Sequence, residues 1–302
     1  MAPTPEVYRT PDARFEGLPG YAFAPRYVED LPGFEGLRMH YLDEGDPGAA
    51  EVFLCLHGEP SWSYLYRKMI PAFVEAGGRV IAPDFFGFGR SDKPVDDAVY
   101  GFNFHRDALM RLIERLDLGG VTLVCQDWGG LIGLTLPMDM PGRFERLLIM
   151  NTALATGVSP GPGFEAWKAY MRSQPDLPVG ALMRRAEPTL TPEEAAAYDA
   201  PFDGPRSKAG VRAFPELVPV TPEMEGADTS RRALGWWSSE WSGPSFMAVG
   251  MQDPVLGPPI MAMMRRLIRG CPPPMEVAEG GHFVQEHGEP IAHAALAAFR
   301  AA

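Results

Sequence analysis

The stretch VTLVCQDWGGLIG, residues 121–133, carries an apolar strand straight into a helix through Cys125, Gln126, Asp127, Trp128 and Gly129. Small residues stand two before and two after Asp127, as a tight and crowded strand-to-helix turn demands. Such a turn lifts its central side chain clear of the backbone, at the edge of the sheet, where it can act as a nucleophile. Most turns of this kind hold serine at the centre; here the residue is aspartate. Taken alone, the same letters also suit an Asp that only caps a helix N-terminus. The rest of the chain has to decide between the two.

Outward from that turn, EVFLCL (Glu51–Leu56), RVIAPD (Arg79–Asp84), VTLVCQ (Val121–Gln126) and RLLIMN (Arg146–Asn151) read as buried strands. Tyr64–Glu75, Phe104–Leu116 and Leu131–Met140 read as the helices between them. Runs of Val, Ile and Leu without strict alternation fit a parallel sheet covered on both faces, so the series is an α/β arrangement of the doubly wound type. From residue 154 to 231 the chain is dense in Pro and Gly (SPGPGF, PDLPVG, DGPRS, VPVTPE), with short helical pieces and no strand-like run. The βα rhythm then resumes with Ser245–Gly250, a helix near Pro259–Ile268, a short strand at Met275–Ala278 and a last helix near Ile291–Arg300. The simplest division is a core of residues 1–153 and 232–302 interrupted by a mostly helical cap of residues 154–231. An independent C-terminal domain would leave two strands with no sheet to join.

Composition narrows the partners. A formal net charge of −12 over 302 residues argues against nucleic acid and anionic membrane surfaces, both of which need a basic footprint. With 46% hydrophobic and 22% charged residues the chain has the balance of an ordinary globular protein. Its three cysteines have no metal-like spacing, and Cys55 and Cys125 lie in apolar runs where a buried thiol is the plain reading. MAPTPEVYRT has no basic start followed by an apolar stretch, and no run is long enough to span a bilayer. A cytoplasmic protein, monomeric and without metal or organic cofactor, is the expectation.

Three further segments bear on Asp127. LCLHGEP places His57-Gly58-Glu59-Pro60 directly after the first parallel strand, where a loop of α/β-hydrolases supplies one backbone N–H of an oxyanion hole. Glu59 would be that donor and Trp128, the residue after the nucleophile, the other; His57 is expected to be structural, since the loop works through its backbone. His282, between Gly281 and Phe283, sits in the loop before the final helix, where this fold places its general base. His287 and His293 compete, but both fall at or within that helix. Asp253, in VGMQDPVLG, follows the strand Ser245–Gly250, where a carboxylate can accept the His N–H and hold its tautomer. An Asp-Pro turn is the alternative there. The order Asp127, Asp253, His282 is the nucleophile–acid–base order of the fold.

The chain resembles the haloalkane dehalogenases, and within them the subfamily whose acid follows the penultimate core strand. The likeness lies in HGEPSW, PDFFGFGRSDKP, CQDWGG, RLLIMN, FEAWK, FMAVGMQDPVLGP and GGHFVQE. Other branches carry the acid after an earlier strand, which here reads MNTAL and offers no carboxylate. The resemblance implies the α/β-hydrolase fold, catalytic residues Asp127, Asp253 and His282, and a halide held by indole N–H groups from Trp128 and from Trp167 in FEAWK. It implies a neutral halogenated substrate, with water as second reactant and halide as product.

Chemistry favours the same reaction. A serine displacing halide would form an ether that the enzyme could not hydrolyse, whereas a carboxylate forms an ester with a carbonyl open to water. Phe164, Pro215, Val218, Val255 and Leu256 are expected to line the pocket, and Trp236, Trp237 and Trp241 to be packing. An epoxide hydrolase is the nearest alternative, with Tyr170 and Tyr198 as possible cap donors to the epoxide oxygen. Glu59, at a site usually aromatic in that family, counts against it. A fluoroacetate-type dehalogenase would follow its nucleophile with arginines, where this chain has Trp128 and Leu131.

Overall fold

A computed structural model describes residues 5–301. In chain order its strands are β1 (Val7–Tyr8), β2 (Arg26–Val28), β3 (Met39–Glu44), β4 (Val52–Leu56), β5 (Arg79–Pro83), β6 (Lys93–Pro94), β7 (Val121–Cys125), β8 (Phe144–Met150), β9 (Ser245–Gly250) and β10 (Met275–Val277). The α-helices are α1 (Ile70–Glu75), α2 (Phe102–Arg115), α3 (Asp127–Gly133), α4 (Pro162–Arg172), α5 (Val179–Ala186), α6 (Pro192–Tyr198), α7 (Ala209–Leu217), α8 (Ala227–Ser239), α9 (Pro258–Leu267) and α10 (Gly288–Ala301). Eight strands form one sheet in the order β10-β9-β8-β7-β4-β5-β3-β2, in which β3 runs antiparallel to both its neighbours, β5 and β2, and every other neighbouring pair is parallel. This is the α/β-hydrolase architecture expected from the sequence.

Every residue of β4 and of β7 is buried, as strands with helices over both faces must be. Helices α1 and α10 pack on each other and reach β5 and β9, while α3 packs against β4, β7 and β8. The order places β4, β7, β8 and β9 side by side, so the loops at their C-terminal ends converge. Those loops carry Glu59, Asp127, Asn151 and Asp253, and open parallel sheets bind ligands at that edge.

Proline accounts for two differences from the expected elements. The helix expected over Tyr64–Glu75 is split into a 3-10 turn, Ser63–Tyr66, and α1, whose first turn holds Pro71. Proline has no N–H to continue a helix already under way but fits a first turn, where none is needed. The helix expected over Leu131–Met140 starts earlier, at Asp127, and ends at Gly133; Pro137 opens a separate 3-10 turn, Pro137–Asp139. β1, β2, β3 and β6 add to the strands expected from the sequence. Between β8 and β9 the described chain holds α4 to α8 and no strand, and α8 runs through the position where the cap was expected to end. Among the described residues no helix is long and apolar enough to cross a membrane.

Candidate active site

Asp127 opens α3 with φ of 48°, a left-handed conformation that a residue with a side chain rarely takes. Local contacts hold it there. Its N–H donates to Asn151 O at 3.0 Å and its carbonyl accepts from Thr152 Oγ1 at 2.7 Å. Gly129 lets the turn sit on β4, since a Cβ there would lie 2.0 Å from Leu56 O. Raised on this elbow, the Asp127 carboxylate accepts the Glu59 N–H at Oδ1, 2.8 Å away, and turns Oδ2 toward His282 Nε2 at 3.5 Å. The Trp128 N–H belongs to the first turn of α3, where backbone donors have no partner within the helix. His57 is buried below the loop; its Nε2 accepts the Phe85 N–H at 3.0 Å and its Nδ1 lies 2.9 Å from Gly58 O. Its role is to shape the loop.

His282 stands between two carboxylates. Its Nδ1–H donates to Asp253 Oδ2 at 2.8 Å, which leaves Nε2 facing Asp127. Asp253 is held by donors alone: Val255 N–H at 2.8 Å and Leu256 N–H at 3.1 Å to Oδ1, Asn151 Nδ2 at 2.9 Å to Oδ2. Burial would raise the Asp253 carboxyl, but the His282 charge and these donors win and hold it well below the usual range. Burial likewise opposes a charged His282, yet Asp253 and Asp127 together lift the imidazole well above its ordinary value. Gln126 is a counterweight. Its amide donates to His282 O at 2.9 Å and lies 3.0 Å from Nε2, an arrangement that favours the unprotonated nitrogen.

Glu59 contributes more than its backbone. Its side chain is buried in the cavity wall, and burial, with Asp127 next to it, pushes its carboxyl well above the usual range. Both causes favour its neutral form, which lessens repulsion with the charge on Asp127. Sequence reasoning missed this, along with Asn151 and Gln126, whose partners lie far along the chain.

Above Asp127, Asp253 and His282 opens a cavity of about 690 Å³. Asp127, His282, Trp128, Trp167, Phe164, Pro215, Val218, Val255 and Leu256 all line it, so the expected pocket residues come together with the expected catalytic residues. The tryptophans divide by what their N–H groups do. Those of Trp237 and Trp241 are spent on Leu134 O at 2.7 Å and Ser245 Oγ at 2.9 Å. Among the described residues those of Trp128 and Trp167 have no protein acceptor, which leaves both free for an anion. Trp236 packs against Trp237 at 5.0 Å, away from this cavity. No tyrosine is among the lining residues: Tyr170 lies beside Trp167 outside the wall, and Tyr198 donates to the buried Glu286. Val158 and Met263, both exposed, add an apolar edge to the cavity. His287 faces Glu187, and His293 is exposed on α10.

Comparison with known proteins gives the same answer from another direction. Residues 51–289 match the alpha/beta hydrolase fold family. A haloalkane dehalogenase of Psychrobacter cryohalolentis is 44% identical over 295 residues, covering 95% of this chain and 96% of the relative. Haloalkane dehalogenase 1 of Mycobacterium tuberculosis is 43% identical over 287 residues, 93% of this chain and 94% of the relative. The solved structure of a haloalkane dehalogenase from Paraglaciecola agarilytica, described as tetrameric, is 51% identical with a TM-score of 0.96, covering 97% of this chain and 99% of that one. The chain belongs to the haloalkane dehalogenases of the α/β-hydrolase fold, enzymes that hydrolyse carbon–halogen bonds.

Proposed function

We propose that Asp127 is the nucleophile, His282 the base and Asp253 the acid of a two-step dehalogenation. The observation that carries this reading is the division of labour between the two Asp127 oxygens: Oδ1 is held by the Glu59 N–H at 2.8 Å, while Oδ2 faces the cavity and His282. Oδ2 attacks the halogen-bearing carbon, the C–X bond breaks with its electron pair on the halide, and an alkyl ester forms on Asp127. Oδ1 becomes the ester carbonyl oxygen, already in the oxyanion hole. His282 then takes a proton from water as the oxygen attacks Asp127 Cγ. The Glu59 and Trp128 N–H groups stabilise the resulting oxyanion by roughly 3 kcal/mol each. Collapse of the intermediate releases the alcohol, and the net products are alcohol, halide and a proton.

The apolar wall and the free indole N–H groups support a neutral halogenated chain as substrate and Trp128 with Trp167 as the halide donors. Short haloalkanes are the proposed class. Incubation with 1-bromobutane and 1-bromohexane is expected to release bromide in step with alcohol, with styrene oxide a poor substrate. The absence of tyrosine from the lining supports that order, because Tyr170 and Tyr198, the cap donors an epoxide hydrolase would use here, do not line the cavity. Faster hydrolysis of the epoxide would replace this reading with that of an epoxide hydrolase. Trp167→Phe is expected to weaken bromide binding about 10-fold, the worth of one hydrogen bond to a charged acceptor. Bromide titration of the intrinsic fluorescence reads it; unchanged affinity would place the second donor elsewhere.

The division into a core (1–153 and 232–302) and a cap (154–231) remains our reading of the chain, supported by the strand-free run between β8 and β9. A cytoplasmic location is likewise proposed, from the free cysteines in apolar runs. For assembly, the monomer expected from the sequence stands against a tetrameric relative at 51% identity, and sedimentation velocity distinguishes them.

A further inference from the structure

Glu187 caps the C-terminal end of α5, yet its side chain is fully buried against the loop that carries His282. Its Oε1 accepts the Gly281 N–H at 2.7 Å, one residue before His282. Oε2 lies 3.4 Å from His287 Nε2, in a contact too poorly directed to be a hydrogen bond. The approach depends on Gly281: a Cβ there would stand 2.4 Å from Ala186 O and 2.7 Å from Glu187 Oε1. Leu182, Arg185 and Ala186, on the same helix, line the cavity. One end of α5 thus touches both the substrate chamber and the backbone one residue before the proposed base.

A carboxyl buried without a cation in full contact is a costly way to satisfy one backbone N–H. The ionisable groups around it are His282 and Asp253 from the loops after β10 and β9, and Glu286 and His287 from the 3-10 turn Val284–His287. Glu286 is matched by Arg67 at 2.7 Å and Lys68 at 2.9 Å. Burial first, with Glu286 and Asp253 adding to it, holds the Glu187 carboxyl up at about 7, against the pull of the Gly281 N–H and His282. The two-step chemistry makes no use of this group.

We propose that Glu187 is a positioning residue for the hydrolytic step: it ties α5 to Gly281 and so fixes His282 relative to the alkylated Asp127. The proposal rests on His282 being the base. Because alkylation uses Asp127 and the halide site, and only hydrolysis uses His282, the two steps separate this role from a general loss of fold. Glu187→Ala is expected to slow ester hydrolysis by about 10- to 100-fold, the order expected of an ångström-scale misplacement, with the alkylation rate and burst amplitude for 1-bromohexane unchanged. Glu187→Gln, whose amide oxygen still accepts the Gly281 N–H, is expected to restore hydrolysis.

Equal losses in both steps, unchanged hydrolysis in Glu187→Ala, or a Glu187→Gln enzyme as slow as the alanine variant would each overturn the proposal. If Glu187→Ala does not fold, Glu187→Asp carries the test, since it keeps the charge and draws the oxygen back by one methylene. Slowed hydrolysis with unchanged alkylation then supports the tie, and two unchanged steps overturn it. A His282→Gln control keeps the two readings apart: normal hydrolysis in that variant refutes the base, whatever Glu187 does.

Discussion

Given 1-bromohexane, the His282→Gln enzyme is expected to release one equivalent of bromide and stop, with the alkyl group left on Asp127. In the proposed mechanism the alkylation step asks nothing of the imidazole as a base: Oδ2 of Asp127 attacks, and the halide leaves toward the indole N–H groups. The second step has no other base. Among the residues lining the cavity, Glu59 already holds Asp127 Oδ1 through its backbone N–H and its carboxyl is pushed toward the neutral form, Asp253 lies behind the imidazole at 2.8 Å from Nδ1, and Asp127 is consumed in the ester. Loss of a general base costs about 10²- to 10⁴-fold, enough to let the ester accumulate. Mass spectrometry of a peptide spanning residues 121–133 reads the adduct. Bromide release without an adduct on Asp127, or steady turnover at the wild-type rate, would refute the assigned roles.

The electrostatics of the site fit the role proposed for His282. In the free enzyme the charges on Asp253 and Asp127 together favour the protonated imidazole, against the cost of its burial. Esterification removes the charge on Asp127 and with it part of that lift. Gln126, whose amide faces Nε2 at 3.0 Å, then favours the unprotonated form. On the proposed mechanism, the imidazole is thus shifted toward its basic form by the same step that forms the ester.

The parts of the site legible in the sequence are those that local chain geometry creates. A left-handed Asp127 needs small neighbours such as Gly129, and a strand must precede it and a helix follow; all of that lies within a dozen residues. The buried parallel strands were legible for a similar reason, because covering both faces leaves unbroken apolar runs such as Val52–Leu56 and Val121–Cys125. The remainder depends on tertiary approach. Asn151 and Asp253 are 102 residues apart, Gln126 and His282 are 156 apart, and Glu187 reaches Gly281 across 94. An Asn after a strand or a Glu after a helix has no local pattern that announces such a partner. The N-terminal strands escaped for a related reason: β2 has three residues, none in an apolar run, and is a strand only because it pairs with β3. The proline breaks at Pro71 and Pro137 were visible as letters, but apolar periodicity continued across them.

Asp253→Asn is expected to cost roughly 10³- to 10⁴-fold in turnover, with the loss falling on ester hydrolysis. The argument is one of donors and acceptors. Oδ1 of Asp253 receives the Val255 and Leu256 N–H groups, and Oδ2 receives the Asn151 amide and the His282 Nδ1–H. An asparagine must put its NH₂ on one side or the other, and both sides already hold two donors. Placed toward Val255 it opposes two fixed backbone N–H groups; placed toward His282 it forces the imidazole to carry its proton on Nε2, the nitrogen that must accept from water. Either outcome removes the working base while leaving Asp127 and the halide site in place. Mild acid does not reproduce the defect. Asp253 is held below the usual range, so its contribution to stability is complete above the unfolded value of about 3.9 and is lost only as pH falls toward the lower folded value. Single-turnover experiments decide the matter: alkylation near the wild-type rate followed by slow alcohol release is the expected pattern. A variant that hydrolyses the ester at the wild-type rate would show that His282 does not need Asp253, and the acid would have to be sought elsewhere.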